Sequence, residues 1–473
     1  MAIHTEVAEW LDERAGRFIS IANQIWENPE VALTESTAAK LQAEDLAADG
    51  FTITTGIADL PTAFMAEWTQ GEGGPVIGFL GEYDALPGLS QDRSPVQQPL
   101  VNNGPGHGCG HNLLGTASLA AASVLKAWLE HAGLPATVRY YGCPAEETVE
   151  GKNFMARAGL FDDLDVALSW HPGSTNTPTA VSSLASDNVK FRFRGRTAHA
   201  AANPETGRSA LDAVELMNIG VNFLREHTPD SARLHYVITN GGGAPNVVPD
   251  EAEVWYFIRS PERHQVNELT NRVRNVAEGA AMMTETTVEE TFVSGIYNLL
   301  PNKVLIDVLM KSLEDLGTIE FTPEEKEFAR QIAQAYPEDL RKGVLAAHSL
   351  DDNLLDEGVT GEVFPIHGEG EVMMGGTDVA DVSWVVPTGQ ITTACFVLGA
   401  PGHSWANTAT SGMSIGHKGM LHAAKVMAAA ASELIQNPDL IAQAKAEFEA
   451  STKGRPYQSP IPAHVKPRTV AAS

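Results

Sequence analysis

Three short apolar runs in this chain end in the same way. Val76-Ile-Gly-Phe-Leu80 leads into Gly81-Glu82-Tyr83-Asp84, Val138-Arg-Tyr-Tyr-Gly142 into Cys143-Pro144-Ala145-Glu146-Glu147, and Val166-Ala-Leu-Ser-Trp170 into His171-Pro172-Gly173. Each run is β-prone, and each exit carries metal-binding or acid–base side chains. Between the first two lies Gly106-His107-Gly108-Cys109-Gly110-His111-Asn112, at the head of a long helical stretch. An open α/β sheet binds its ligands beyond the carboxyl ends of its strands. Cys, His and paired Glu residues delivered to one such rim describe a metal-assisted hydrolase site.

The rest of the chain supports an α/β architecture with an insertion. Val7, Trp10, Leu11, Phe18, Ile19, Ile21, Ile25 and Trp26 recur at helical spacing within residues 1–30. Strands and helices then alternate through residue 184, as in a parallel sheet covered on both faces. The pattern changes near Asp187. Strand Asn188–Thr197, helix Gly207–His227, strands Ala232–Thr239 and Glu251–Arg259, helix Pro261–Met283 and strand Thr286–Val293 follow in order. That β-α-β-β-α-β sequence is the ferredoxin-like split unit. The expected domains are residues 1–186 and 297–473 for the α/β part and 187–296 for the insertion. The second α/β part is read as helical from Tyr297, with a strand at Ile391–Leu398, a Gly399-Ala-Pro-Gly402-His403 loop, a helix from Ile415 to Ile435, and a Pro-rich surface tail from Lys453.

The charge balance removes some function classes. Sixty acidic residues stand against 32 basic ones, a formal net charge of −28. No basic surplus exists to neutralise nucleic-acid phosphates or to hold the chain to an anionic membrane. An anionic substrate would need a local cation. Three cysteines, Cys109, Cys143 and Cys395, make no disulfide framework. No apolar run approaches the ~20 residues of a membrane span, and no secretory core follows Met1, so a cytoplasmic location is expected.

Several histidines and carboxylates compete for the site. A helix N-terminus stabilises thiolate, the ligand form of Cys109, and the glycines around it let the backbone approach an ion closely. Neighbouring carboxylates at a strand exit point different ways, so one of Glu146 and Glu147 can bind metal while the other serves as base. His171 caps a buried strand, where ligand and core roles are both open. His403 is preferred to His417, which opens a helix of core-like residues; His107 lies off the Cys-x-His geometry. Cys109, His111, Glu147, His171 and His403 together suit two adjacent divalent ions better than one closed tetrahedral site.

These residues occur in motifs spread over nearly the whole chain: Tyr83-Asp84-Ala85-Leu86-Pro87, Gly108-Cys109-Gly110-His111-Asn112, Pro144-Ala145-Glu146-Glu147, Trp170-His171-Pro172, Gly195-Arg-Thr-Ala-His199-Ala200-Ala201, Asn246-Val-Val-Pro249-Asp250 and Gly402-His403-Ser404. As a set they resemble the zinc-dependent aminoacylase and carboxypeptidase G superfamily, in its branch of amidohydrolases acting on N-acyl amino acids. The resemblance implies a di-metal α/β catalytic domain with an inserted lid that mediates dimerisation. It implies Glu146 as general base, Glu147 as ligand and Asp84 orienting a histidine ligand. It further implies His199 from the lid acting on the oxyanion in the partner subunit's site, with Asn246 and Arg259 holding the substrate carboxylate. Many members carry a histidine two residues before the first-motif aspartate; this chain has Glu82 there.

The expected activity is therefore metal-dependent amide hydrolysis of an N-acyl amino acid, with N-aroyl-glutamate as the narrower expectation and two Zn or Mn ions as cofactors. A homodimer through the lid is expected, with a heteromer containing a related subunit as the other assembly. Two rival functions stand beside it. A non-catalytic partner subunit would have no use for intact ligand and base positions. A metallo-aminopeptidase or dipeptidase would need an acidic group for the substrate's free amine, and no residue is assigned to that task.

Overall fold

The computed structural model describes residues 3–468. Residues 1 and 2 of the expected first helix, and 469–473 of the tail, lie outside the described residues. The larger body is a seven-stranded sheet with spatial order Thr52–Thr55, Phe64–Gln70, Ala136–Cys143, Val76–Glu82, Val166–Gly173, Thr388–Ala394 and Thr177–Pro178. Its middle strands, from Ala136–Cys143 to Thr388–Ala394, run parallel. Their register aligns the exits: Glu82 lies opposite Cys143, and Ala394 opposite Gly173. The three exits singled out in the sequence thus share one rim.

The sheet is mixed, not wholly parallel as alternation suggests. Thr52–Thr55 and Phe64–Gln70 pair antiparallel with each other, and the latter pairs antiparallel with Ala136–Cys143. The outermost strand is short and mostly exposed, so it lacks the apolar run that marks the central strands.

Helices Ile3–Glu27, His111–Ala132 and Ser414–Gln436 pack together beside the sheet and share its main core. Small residues make this close approach possible: Ala117, Ala120, Ala121, Ala424, Ala428 and Ala431 are all buried there. The backbone at Gly110 has φ +76°, immediately before helix His111–Ala132. A side chain at Gly110 would be strained and would press on Phe396 and Pro172 at about 3 Å. This turn separates Cys109, on the loop, from His111, in the first helical turn.

The inserted module is an antiparallel four-stranded sheet ordered Thr287–Ile296, Ala185–Arg194, Glu251–Ser260 and Arg233–Asn240. Helices Ala210–Leu224 and Arg263–Thr284 cover it and enclose a separate core containing Val189, Phe191, Val214, Tyr256, Val266 and Val273. The β-α-β-β-α-β order expected from the sequence is observed. One detail differs: Pro261 precedes the second helix, and Glu262 and Gln265 close a capping box at its start. Strand Arg233–Asn240 is the open edge and exposes Tyr236, Val237 and Ile238. Among the described residues, no helix is long and apolar enough to cross a membrane.

Candidate metal centre

Two donor triads meet at the rim. Donor atoms of Cys109, His111 and His171 lie within 4.8 Å of one another, as do those of Cys109, Glu147 and His403. Cys109 belongs to both. Its Sγ is 3.3 Å from His171 Nε2, while His403 Nε2 is 3.6 Å from Glu147 Oε2. The five ligand candidates from sequence therefore converge as two sets of three that share the sulfur.

Neighbouring atoms select which histidine nitrogen faces inward. His111 Nδ1 donates to Asp84 Oδ1 at 2.9 Å, and His171 Nδ1 donates to the Pro172 carbonyl at 2.8 Å. Each ring then presents the Nε2 lone pair, the arrangement a metal-binding imidazole needs. Asp84 also accepts the Glu147 backbone N–H through Oδ2 at 2.9 Å. One buried carboxylate thus orients both a histidine and the glutamate pair.

The triads fit a cation. His111 Nε2 and Glu147 Oε1 are buried without hydrogen-bond partners, an arrangement costly unless something pairs with them. Burial pushes the Glu147 carboxyl up to about 7 even though His111 pulls it back. Burial also pushes the Cys109 thiol up, and lowers His171 to about 4. Burial would lower His111 too, but Cys109 and Asp84 beside it raise it overall. A bound cation stabilises thiolate, carboxylate and neutral imidazole together, so this N, S and O donor set is chemically coherent.

Glu146 sits beside the triads and outside both. Its Oε2 is 4.0 Å from His111 Nε2, and with Glu82 it makes a third donor group centred on the same histidine. Burial, Glu82 and Asp378 raise its carboxyl well above the ordinary range. The turn carrying the pair is left-handed at Ala145 and Val149, with φ 58° and 52°. For a β-branched valine that is strained backbone. Ala145 N–H donates to Glu35 Oε1 at 2.8 Å, and the N–H groups of Gly151 and Lys152 donate to Asp378 Oδ2. These outside acceptors fix the turn.

Several participants were not read from the sequence as part of the site. Lys152 is fully buried, with Nζ 2.7 Å from Glu82 Oε1 and 2.5 Å from Asp378 Oδ1. It neutralises two carboxylates next to the centre. A lysine opening a helix runs against the helix dipole, the one local cue that could have singled it out. Glu82, noted only as a departure from the superfamily pattern, lies 3.3 Å from His111 Nε2. Glu35, overlooked, accepts from Leu33 N–H, Ala145 N–H and the Thr62 hydroxyl.

The remaining histidines separate cleanly. His107 is buried against the Ile25 carbonyl at 3.2 Å, and His417 meets Asn23 Oδ1 at 3.2 Å. Neither joins a triad. Clefts of about 460 and 510 Å³ occur at the C-terminal tail and beside the 90–106 loop. Neither is lined by the triad residues, so cleft size does not locate the centre; its unpaired donor atoms do.

The three lid candidates share no hydrogen bond or ion pair with the triads among the described residues. His199 and Asn246 lie on neighbouring loops: His199 bridges to Val247, and Ala200 N–H donates to the Asn246 carbonyl. Both are exposed. The N–H groups of Ala201 and Ala202 donate to His199 Nδ1 at 3.2 Å, which leaves Nε2 as the protonated, outward donor. Arg259 is mostly buried, and its Nε has no hydrogen-bond partner.

Comparison with known proteins gives this geometry its relatives. Residues 182–282 match the peptidase dimerisation domain of the M20 group. The chain is 45% identical over 471 residues to the B subunit of p-aminobenzoyl-glutamate hydrolase from Escherichia coli, covering 95% of this chain and 96% of that protein. It is 34% identical over 329 residues to the Xaa-Arg dipeptidase of Mus musculus, covering 67% of this chain and 72% of that one. A solved dinuclear metal-binding peptidase of the M20 family from Bacillus subtilis has a TM-score of 0.59 at 18% identity, over 90% of this chain and 99% of the other. That last likeness concerns the fold alone, whereas the first spans almost the whole of both proteins. With its motifs, inserted lid and near full-length kinship to one component of a hydrolase, the chain belongs to the M20 peptidase family, as one of its amidohydrolases.

Proposed function

We propose that the chain hydrolyses the amide bond of N-acyl amino acids, with N-aroyl-glutamates such as p-aminobenzoyl-glutamate as the preferred class. The observation that carries this reading is the pair of triads sharing Cys109, with Glu146 outside both, in a third group with Glu82 and His111. Residues 1–186 and 297–473 form the catalytic domain in this reading, and 187–296 the lid.

Cys109, His111, Glu147, His171 and His403 would hold two divalent ions, with zinc favoured by the thiolate and manganese compatible with the oxygen donors. Such ions supply Lewis-acid polarisation of the scissile carbonyl and a more acidic water. Glu146 takes the proton of the attacking water and returns it to the leaving amine. Its raised affinity for protons suits a base that must later act as an acid. Asp84 keeps His111 and the Glu147 turn in register. His199 donates through Nε2–H to the oxyanion, and Asn246 and Arg259 hold the substrate carboxylate. A half-buried arginine whose Nε is buried and unsatisfied, in a chain of net charge −28, supports an anionic ligand at Arg259.

The active assembly in this reading is a cytoplasmic homodimer joined through the lid. The open, apolar edge of Arg233–Asn240 supports that contact. The Escherichia coli relative is one of two kinds of chain in its hydrolase, which favours a second assembly with a related partner. The test is a turnover screen of N-acyl amino acids against the isolated, metal-loaded chain. Release of free glutamate from N-aroyl-glutamate is expected. Activity only after addition of a related chain would make this one the partner rather than the enzyme, and preference for substrates with a free amine would make it a peptidase.

A further inference from the structure

The last described residues return to the catalytic turn. Residues 455–468 cross the α/β body as a strap. Ile461 is buried in a cluster with Phe154 and Met155. Arg157, at the end of helix Lys152–Arg157, donates to the carbonyls of Pro462 and Val465 at 3.1 and 2.8 Å. Farther along, Arg468 Nε donates to Glu150 Oε1 and Oε2 at 2.7 and 2.9 Å, and a second guanidinium nitrogen also reaches Oε2.

Glu150 closes the strained turn. Its side chain is 0% exposed. Its N–H donates to the Ala145 carbonyl at 3.0 Å, and the Val149 N–H donates to the Glu146 carbonyl at 2.8 Å. Ala145 and Val149 are the two left-handed residues of this turn. Strained backbone persists only where its surroundings hold it. Glu35, Asp84 and Asp378 hold this one through acceptors within the catalytic body. The Glu150 carboxylate, buried beside them, is paired with one cation among the described residues, and that cation comes from the strap.

We propose that Arg468 is a positioning residue for catalysis: by neutralising buried Glu150 it locks the Ala145–Glu150 turn and so fixes the direction of Glu146. The inference rests on the reading of Glu146 as base. Arg468 touches neither substrate nor donor atoms; it acts through the turn. Removing it leaves a buried carboxylate without its partner, and the turn can relieve both the charge and the strain by opening toward solvent. Glu146 would then lose its bearing while the triads, anchored on other elements, remain.

The experiment compares wild type with Arg468→Ala, Arg468→Lys, Glu150→Gln and the Glu150→Gln/Arg468→Ala double variant, all as the full chain, metal-loaded. Lys466→Ala, whose pair with Asp59 is exposed at both ends, is the control. Arg468→Ala should keep its metal content and KM and lose roughly 10–100-fold in kcat, the scale expected of a misplaced reacting group. Amide hydrogen exchange across residues 145–150 should quicken in the same variant. The double variant should recover most of the lost kcat, because no charge is left buried; Lys466→Ala should match wild type. Unchanged kcat and exchange in Arg468→Ala would overturn the proposal, as would a double variant no better than the single one. If Arg468→Ala does not fold, Arg468→Lys, which cannot make the bidentate pair, decides by the same loss of kcat and quickening of exchange, and the double variant by its near wild-type kcat. If wild type hydrolyses no N-acyl amino acid, the function proposed above fails, while exchange in the 145–150 turn still reports whether Arg468 holds it.

Discussion

Arg259 concentrates the question of substrate choice in one side chain. Its guanidinium is largely buried over the Phe257 ring, and burial lowers its pKa with no acidic group compensating. Arg259→Ala should therefore weaken acyl-glutamate binding far more than binding of the matching carboxamide, by roughly 10-fold or more if a charge-assisted pair is lost. KM or Kd for the two ligands measures this, and equal losses would make the arginine structural. The five residues proposed as donors, Cys109, His111, Glu147, His171 and His403, were readable as candidates because each sits at a strand exit or glycine loop, and the structure brings them together. Glu35, Lys152 and Asp378 were not. Their importance arises from ion pairs and backbone contacts between remote segments, and no local spacing encodes those. Charged residues in an acidic chain read by default as solvated surface, yet these three are buried.

Among the elements, the short helix Val379–Ser383 links the Ala145–Glu150 turn to the point where the lid returns. Asp378, which caps it, holds Gly151 and Lys152; Asp381, within it, accepts from Tyr297 N–H at 3.1 Å and from the Tyr457 hydroxyl at 2.6 Å. Burial pushes the Asp381 carboxyl up to about 7, although both donors pull against it. A raised carboxyl means that the folded chain keeps a proton that the unfolded chain has released. The resulting stability is present in acid and is lost as pH rises from about 4 through about 7. Asp381→Asn removes that dependence. Its Tm relative to wild type should climb between about pH 4 and about pH 7, and a difference that stays flat would show that Asp381 does not hold a proton there. Element identity was legible where the period was strong. The lid's strands and helices appear in the expected order because each carries a clean apolar face over its own core. The Thr52–Thr55 strand is short, exposed and at the edge, and carries little apolar pattern; Phe64–Gln70 lies inside the sheet, but nothing local in it encodes its antiparallel pairing, and with that went the mixed character of the sheet.

At the level of the whole molecule, the groups proposed for catalysis divide between two bodies. Cys109, Glu146 and their neighbours gather on the sheet rim, while His199 and Asn246 stand exposed on lid loops without contact to them among the described residues. A lid that dimerises through its open edge would project those loops toward a second subunit. His199→Ala and Glu146→Ala homodimers should then each be almost inactive. Subunit exchange should restore one intact site per mixed dimer, and verified mixed dimers without recovered activity would exclude a shared site. The net charge of −28 gave no hint of this division, since it describes solubility and long-range field rather than architecture. The account as a whole turns on Glu146 being a base beside a two-ion centre and not a ligand of it. Metal content and turnover measured on one sample of Glu146→Gln test that most directly. The account predicts two divalent ions per chain, as in wild type, with kcat reduced by about 10²–10⁴-fold. A fully metallated variant with near-normal kcat, or one that has lost an ion, would contradict it.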